Sequence, residues 1–325
     1  MRVWYFIILG LLPAAVAAAA EDEVLALLGK MSAASRTVNY SGTFVFQHDG
    51  KVEMSSIAHF VNPAGGVLER LETMDGPARE VMRTNEQVTC YIPGTRTVLI
   101  DPRGSSQFSV KPEQIPDLAQ YYRVVKGSLD RVAGAECQWV ALLPQDNLRY
   151  ARRFCAEVQT GLTLRSMTMN EKNETVESFA FTTLQIGGPF RRDMVKSRYA
   201  AISTRQNWRV DRSALTENDT GDSGWAVGDQ PAGFRKVLEL RRSMPGKKGA
   251  VSHLVFSDGL AAISVFIEPG VKADKKQVLR HQGAVYIYSR PVAGHTVTVL
   301  GETPAETVMR FAKSVEPKTA LAIQR

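Results

Sequence analysis

Residues 41–62 read SGTFVFQHDGKVEMSSIAHFVN, and this stretch decides the fold. In an extended chain Thr43 and Val45 point one way and Phe44 and Phe46 the other, so one face of the strand is aromatic. Asp49-Gly50 is a two-residue turn signal for an antiparallel hairpin, and Lys51 to Asn62 is its return strand.

The same texture runs outward on the C-terminal side. Pro63-Ala64-Gly65-Gly66 turns the chain into Val67–Thr73, Arg79–Arg83, Gln87–Ile92 and Thr97–Asp101, with Asp75-Gly76-Pro77, Thr84-Asn85-Glu86 and Pro93-Gly94 between them. Glu113–Val124 reads as an inserted helix starting near Pro116, with Ile115, Leu118 and Tyr122 on one side. Val132–Leu143 and Leu148–Val158 flank Pro144–Asn147, and Leu162–Asn170 and Val176–Gln185 flank Lys172-Asn173-Glu174. Upstream, Val24, Leu27, Leu28 and Met31 give Glu21–Ser35 one buried helical face. Roughly ten consecutive antiparallel strands in one meander must curl, and helices over one face leave a half-closed barrel with an apolar concavity.

Ser213–Ser223 is polar, acidic and turn-rich, the composition of a linker. Beyond it Trp225–Arg242, Val251–Glu268, Lys275–Ser289 and Thr296–Leu300 have strand character. Thr303-Pro304-Ala305-Glu306 reads as a capping box with proline at the first helical position, and Val308, Phe311, Ala312 and Val315 as the buried stripe that follows. The fold class is α+β, mostly β. A large curled sheet with helices on one face occupies 21–200, a linker 201–223, and a smaller antiparallel sheet with a packed helix 224–318.

At the N-terminus Arg2, the apolar run Val3–Leu12, Pro13 and the small residues Ala14–Ala20 form a signal-peptide pattern cleaved before Glu21. Its apolar core of about ten residues is half of what a membrane span needs, and no cysteine stands at the junction to take a lipid anchor. The expectation is a soluble protein of the periplasm after removal of residues 1–20. A net charge of +7 suits an acidic partner such as a phosphorylated lipid surface or an acidic polypeptide. Basic residues are scattered without interleaved aromatics, which argues against nucleic acid.

Export makes a disulfide available to Cys90, Cys137 and Cys155. In a hairpin symmetric about Asp146, Cys137 and Cys155 stand opposite one another, close enough to bridge. A one-residue shift of register would separate them and leave two buried thiols.

The residues of common enzymes are absent as motifs. There is no G-x-S-x-G elbow, no phosphate-binding glycine loop and no C-x-x-C, and the five histidines are isolated. The reading is a binding protein, not an enzyme, with no cofactor or metal. Phe44, Phe46 and Tyr91 are candidates to line an acyl-chain cavity. Asp75, Arg79 and Glu80, in and after the Asp-Gly-Pro turn, are candidates for partner contacts, with an ordinary turn as the plainer reading.

Several motifs in shared order resemble the RseB/MucB regulators of the envelope-stress sigma factor. They are Tyr40-Ser41-Gly42-Thr43-Phe44, Met74–Val81, Asn85–Cys90, Asp130–Gly134, Leu148-Arg149-Tyr150, Gln230-Pro231-Ala232-Gly233-Phe234, Val255–Leu260 and Val299–Pro304. The resemblance implies a large domain like the LolA/LolB lipoprotein carriers and a small domain that helps grip the periplasmic region of a membrane anti-sigma factor. It implies that the bound protein shields that factor from site-one proteolysis and that lipid or lipopolysaccharide releases it. A periplasmic lipid or lipoprotein carrier is the alternative, although a carrier has no need of the segment after the linker. The sequence leaves homo-oligomerisation open.

Overall fold

The computed structural model describes residues 13–85, 87–101, 115–189, 191–212, 221–243, 249–270 and 277–318. The hairpin at Asp49-Gly50 forms: β1 (Tyr40–His48) pairs with β2 (Lys51–Val61) from Tyr40↔His59 to His48↔Lys51. Asp49 and Gly50 both take positive φ, 48° and 70°, the backbone that a tight two-residue hairpin turn requires. From there β3 (Val67–Thr73), β4 (Glu80–Thr84), β5 (Val88–Ile92) and β6 (Thr97–Asp101) add one after another, all antiparallel.

A second run consists of β7 (Tyr122–Val132), β8 (Ala135–Pro144), β9 (Ala151–Glu157), β10 (Thr163–Met169) and β11 (Thr175–Ile186). Here the expected single meander is corrected. β11 returns to pair with β1, so two meanders spread outward from a central seam. The aromatic face of β1 marks that seam, because Phe44 stands opposite Phe181 and Phe46 opposite Phe179. At the far edge β12 (Arg209–Arg212) lies parallel to β6 and completes a 12-stranded sheet.

Three further expectations change. The helix read over 113–124 is only α2 (Ile115–Leu118), following α1 (Pro13–Thr37) in the chain, and Tyr122 already begins β7. Tyr122 and Val124 satisfy a strand period as well as a helical one, and pairing along β8 wins; Glu113 and Lys111 lie outside the described residues. Residues 201–212 of the expected linker carry α3 (Ala200–Arg205) and β12, while 213–220 lie outside the described residues. The Cys137–Cys155 bridge is formed with Cα atoms 5.3 Å apart, yet the hairpin is not symmetric about Asp146. Cys137 stands opposite Glu157 and Cys155 opposite Trp139, so the bridge joins diagonal neighbours.

Helix α1 packs Val24 and Leu28 against Leu118, Tyr122, Val140 and Leu142, and Ala34 joins the cluster of Phe44, Phe181, Leu164 and the disulfide. Gly161 lets a turn pass close under the helix: its φ is +77°, and a Cβ there would stand 2.7 Å from the Lys30 carbonyl carbon.

The small domain is a six-stranded antiparallel sheet in the order β14-β15-β16-β19-β18-β17. Its strands are β14 (Arg235–Ser243), β15 (Ala250–Ser257), β16 (Ala262–Pro269), β17 (Val278–Gln282), β18 (Val285–Val292) and β19 (His295–Gly301). A short ribbon of β13 (Trp225–Val227) and β20 (Val315–Pro317) flanks it. Helix α4 (Ala305–Lys313) sets Val308, Phe311 and Ala312 into a core with Phe234, Phe256, Ile263 and Val299. The expected capping box does not form. Pro304 itself holds the N-cap position, so the Thr303 hydroxyl is one residue too early and is buried with no hydrogen-bond partner among the described residues.

Candidate functional site

Three separate stretches meet where the two sheets dock: Leu148-Arg149-Tyr150, Ala232-Gly233-Phe234 and Ser257-Asp258-Gly259-Leu260. Arg149, on the connection between β8 and β9, is the hub. Its Nε donates to Asp258 Oδ2 at 2.6 Å, Nη1 donates to Asp146 Oδ2, and Nη2 donates to the Ala232 carbonyl. The guanidinium centre lies 5.0 Å from the ring centroids of both Tyr121 and Phe234 and 5.8 Å from that of Tyr122.

Asp258 is equally well satisfied. Besides Arg149 it accepts the Tyr122 hydroxyl at 2.9 Å and the amides of Leu260 and Ala261 at 2.9 and 2.7 Å. Burial works against the Arg149 cation, but Asp258 and Asp146 outweigh it and hold the guanidinium charged. Burial, reinforced by Asp258, pushes the Tyr122 phenol well above its usual range, so it stays a neutral donor. Gly233 is required here: its φ is +88°, and a Cβ would stand 2.6 Å from the Tyr121 ring. Nearby, the buried Thr307 hydroxyl of α4 donates to the Leu148 carbonyl at 2.7 Å.

A second contact lies on the other side of the joint. His48, Glu177, Thr168 and Arg152 form a polar row across β1, β11, β10 and β9, each opposite the next. Arg152 donates to Glu302 Oε2 of the small domain at 2.5 Å and to the Thr168 hydroxyl at 2.9 Å. The Gly283 amide at the tip of the β17–β18 hairpin donates to Asp49 Oδ2 at 2.5 Å. Burial in this joint pushes Glu177 up to about 6, with Glu302 adding to the shift and Arg152 and His48 opposing it. The site is therefore a joint made of charge pairs, able to fix one arrangement of two domains. Among the described residues no group of His, Cys, Asp and Glu is placed to hold a metal ion.

The residues singled out from sequence fall elsewhere. Phe44 is buried at the β1–β11 seam, in ring contact with Phe179 and Phe181, and Phe46 is half-buried beside the same cluster. Tyr91 does not join them. Cross-strand partners share a face, and the chain of partners Tyr91, Glu80, Glu72, Ser56, Thr43 puts Tyr91 on the opposite side of the sheet from Phe44 and Phe46. There it lies 6.5 Å from the Tyr199 ring.

Glu80 is wholly buried and accepts Arg70 Nε at 2.6 Å, the Ser197 hydroxyl and the Arg198 amide at 3.0 Å. It ties the strand to the segment crossing that face, so of the three candidates at this turn Asp75 and Arg79 are exposed and Glu80 is not. Asp75 accepts the Met54 amide at 3.0 Å, and the Arg79 amide donates to the Thr73 hydroxyl at 2.9 Å.

Sequence reasoning missed Arg149 and Asp258 as a pair. Both stand in quoted motifs, but a sequence separation of 109 left nothing local to join them.

Comparison with known proteins supplies the context. The model of the MucB/RseB N-terminal domain matches residues 23–199, and that of the MucB/RseB C-terminal domain matches 219–316. The sigma factor AlgU regulatory protein MucB of Pseudomonas aeruginosa is 31% identical over 312 residues, covering 95% of this chain and 94% of MucB. The sigma-E factor regulatory protein RseB of Salmonella typhimurium is 26% identical over 305 residues, covering 92% of each. A chain from the complex of Pseudomonas aeruginosa MucA and MucB superposes with a TM-score of 0.72 at 28% identity, covering 91% of this chain and 99% of its own. With both of its domains matched in order, the chain belongs to the MucB/RseB family.

Proposed function

We propose that this chain binds the periplasmic region of a MucA- or RseA-like membrane anti-sigma factor and thereby keeps an envelope-stress sigma factor inactive. The observation that carries the reading is the superposition on a chain of the MucA/MucB complex, which spans both domains at a TM-score of 0.72. The Arg149–Asp258 joint supports it, since a partner that touches both domains needs them held in one arrangement.

In the finer reading, residues 1–20 are removed on export and the remainder works in the periplasm as a binding regulator rather than an enzyme. No helix among the described residues is long and apolar enough to cross a membrane; in this reading the membrane-spanning partner holds the protein at the membrane. Bound there, it covers the site at which regulated proteolysis of the anti-sigma factor begins. Lipid or lipopolysaccharide, entering beside Phe46, releases it. Release requires only that lipid and anti-sigma segment prefer different conformations of this chain.

The test is direct. The chain lacking residues 1–20 is mixed with the periplasmic segment of the anti-sigma factor from the same organism and passed over a sizing column. Co-elution, protection of the segment from site-one protease, and loss of both on adding lipopolysaccharide are expected. Folded protein that fails to co-elute overturns the reading; co-elution without protection overturns only the finer part.

A further inference from the structure

At the tip of the β10–β11 hairpin residues 171–175 read EKNET. Asn173 has a threonine two positions after it, no proline between, and a carboxylate two positions before it. The shorter pattern, Asn-x-Ser/Thr, is the acceptor for N-linked sugars in exported proteins. It recurs at Asn39-Tyr40-Ser41 and Asn218-Asp219-Thr220, but there the residues two positions before the asparagine are Thr37 and Thr216. Of the three, only Asn173 has the acidic residue that bacterial transferases read as part of the acceptor.

The fold presents this pattern to solvent. The Asn173 backbone amide donates to the Asn170 carbonyl at 2.9 Å and the Asn170 amide to the Glu174 carbonyl at 3.0 Å, closing a tight hairpin loop. Asn173 ends that loop in the left-handed backbone region, with φ +61°, which asparagine tolerates. Asn170 holds the loop together: its side-chain oxygen accepts the Lys172 and Glu174 amides at 3.0 and 2.9 Å, and its Nδ2 donates to the Glu174 carboxylate at 2.8 Å. The Asn173 carboxamide, the Thr175 hydroxyl and the Glu171 carboxylate are left with no hydrogen bond or ion pair among the described residues, and residues 171–175 are all exposed. Asn39 differs: it is half-buried and its side-chain oxygen accepts the Val61 amide at 2.7 Å. Asn218 lies outside the described residues. An enzyme can therefore grip the Asn173 pattern by opening a hairpin tip, without disturbing the core.

We infer that Asn173 is an acceptor site for N-linked glycosylation of the folded chain. The Asn173 side-chain nitrogen attacks C1 of the reducing-end sugar of a polyprenyl-pyrophosphate-linked oligosaccharide. The N–C1 bond forms, the bond from C1 to the pyrophosphate oxygen breaks, and polyprenyl pyrophosphate leaves. The nitrogen gives up one proton to a basic group of the transferase. The Thr175 hydroxyl offers the enzyme a hydrogen bond beside the reacting amide, and the Glu171 carboxylate offers a charge for a basic side chain. The inference rests on the export of the chain proposed above, because donor and transferase work on the periplasmic side of the membrane.

The experiment has two arms, both read by intact mass spectrometry. In one, the purified, folded chain without residues 1–20 is incubated with a bacterial oligosaccharyltransferase and an undecaprenyl-pyrophosphate-linked oligosaccharide. In the other, the full chain is expressed in a host carrying the same transferase and donor, and the periplasmic fraction is measured. A gain of one glycan is expected in both. It should vanish in Asn173→Gln and in Thr175→Ala, and Glu171→Gln should slow it by at least about tenfold, with unchanged circular dichroism. Folded purified chain that takes up no glycan overturns the inference. So does a mass gain that persists in Asn173→Gln, or chain recovered from the periplasm without glycan. Modification of the purified chain, with no chain reaching the periplasm, supports the acceptor site and overturns the export reading instead.

Discussion

Arg149 of the large domain and Asp258 of the small domain meet at 2.6 Å with both side chains closed off from solvent. A pair so placed is a weak source of net stability, because desolvation offsets much of the attraction, but it is a strong constraint on geometry. Arg149→Ala leaves Asp258 buried with its charge unmatched, and a loss of about 3–5 kcal/mol is expected. Arg149→Lys should also lose stability, since an ammonium cannot reach Asp258, Asp146 and the Ala232 carbonyl at once. Urea unfolding measures the loss, and small-angle scattering should show a wider spread of shapes in both variants. An Arg149→Ala protein with wild-type stability and shape would mean that the joint is held elsewhere.

The joint should respond to pH through Glu177, raised from 4.5 to about 6 by burial and by Glu302. A raised carboxyl stabilises the docked state fully below pH 4.5, and that contribution is lost as the pH rises through 6. Docking should therefore weaken between pH 5 and 7 by roughly 1 kcal/mol. Glu177→Gln should flatten the profile and exceed wild type in stability near pH 7.5. Melting temperatures across pH 4.5–8 decide it, and an unchanged slope in the variant refutes the assignment.

The Cys137–Cys155 bridge closes a short loop within the sheet and both sulfurs are fully buried. Replacing both by alanine should cost about 3 kcal/mol in denaturant midpoint analysis. Dithiothreitol alone should leave the bridge intact until denaturant opens the fold. Cys90, half-buried with its thiol pushed up by burial against the opposing effect of Arg79, should be the one slowly alkylated in native protein.

Glu80 and Arg79 are neighbours with opposite roles. Glu80→Ala leaves the half-buried Arg70 with Glu72 alone and takes the acceptor from the Ser197 hydroxyl and the Arg198 amide, and a loss of about 2–3 kcal/mol is expected. Arg79→Ala, at an exposed position, should stay within about 0.5 kcal/mol of wild type. Any loss of anti-sigma binding in Arg79→Ala, measured on protein of equal stability, then reports a contact rather than damage to the fold.

Phe44 and Phe46 divide in the same way. Phe44→Ala should cost about 3–5 kcal/mol as a core truncation. Phe46→Ala, at a half-buried edge, should cost less and is the variant in which lipid binding can be read. Equal lipid binding by Phe46→Ala and wild-type protein would remove that ring from the lipid site.

Much of the local structure was legible in residue order. The Asp49-Gly50 hairpin, strands β3 to β6 and the β10–β11 hairpin follow from alternation and turn chemistry, which act over a few residues. Strand β7 was not, because Tyr122 and Val124 satisfy two periods at once and only the presence of β8 chooses between them. The capping box at Thr303 failed for a related reason: the pattern was present, but the path of the chain into the core made Pro304 the boundary.

The sequence by itself determined the mostly-β class, the two-domain order and the family, since turn signals, periodicity and motif order are properties of the chain. Tertiary structure alone decided the pairing of β1 with β11, the side of the sheet on which Tyr91 stands, the burial of Glu80 and the meeting of Arg149 with Asp258. Each of these depends on residues far apart in the chain being brought within a few ångströms. The free energy of such contacts comes from desolvation and geometry at the point of meeting, and neither is present in any local stretch of the chain.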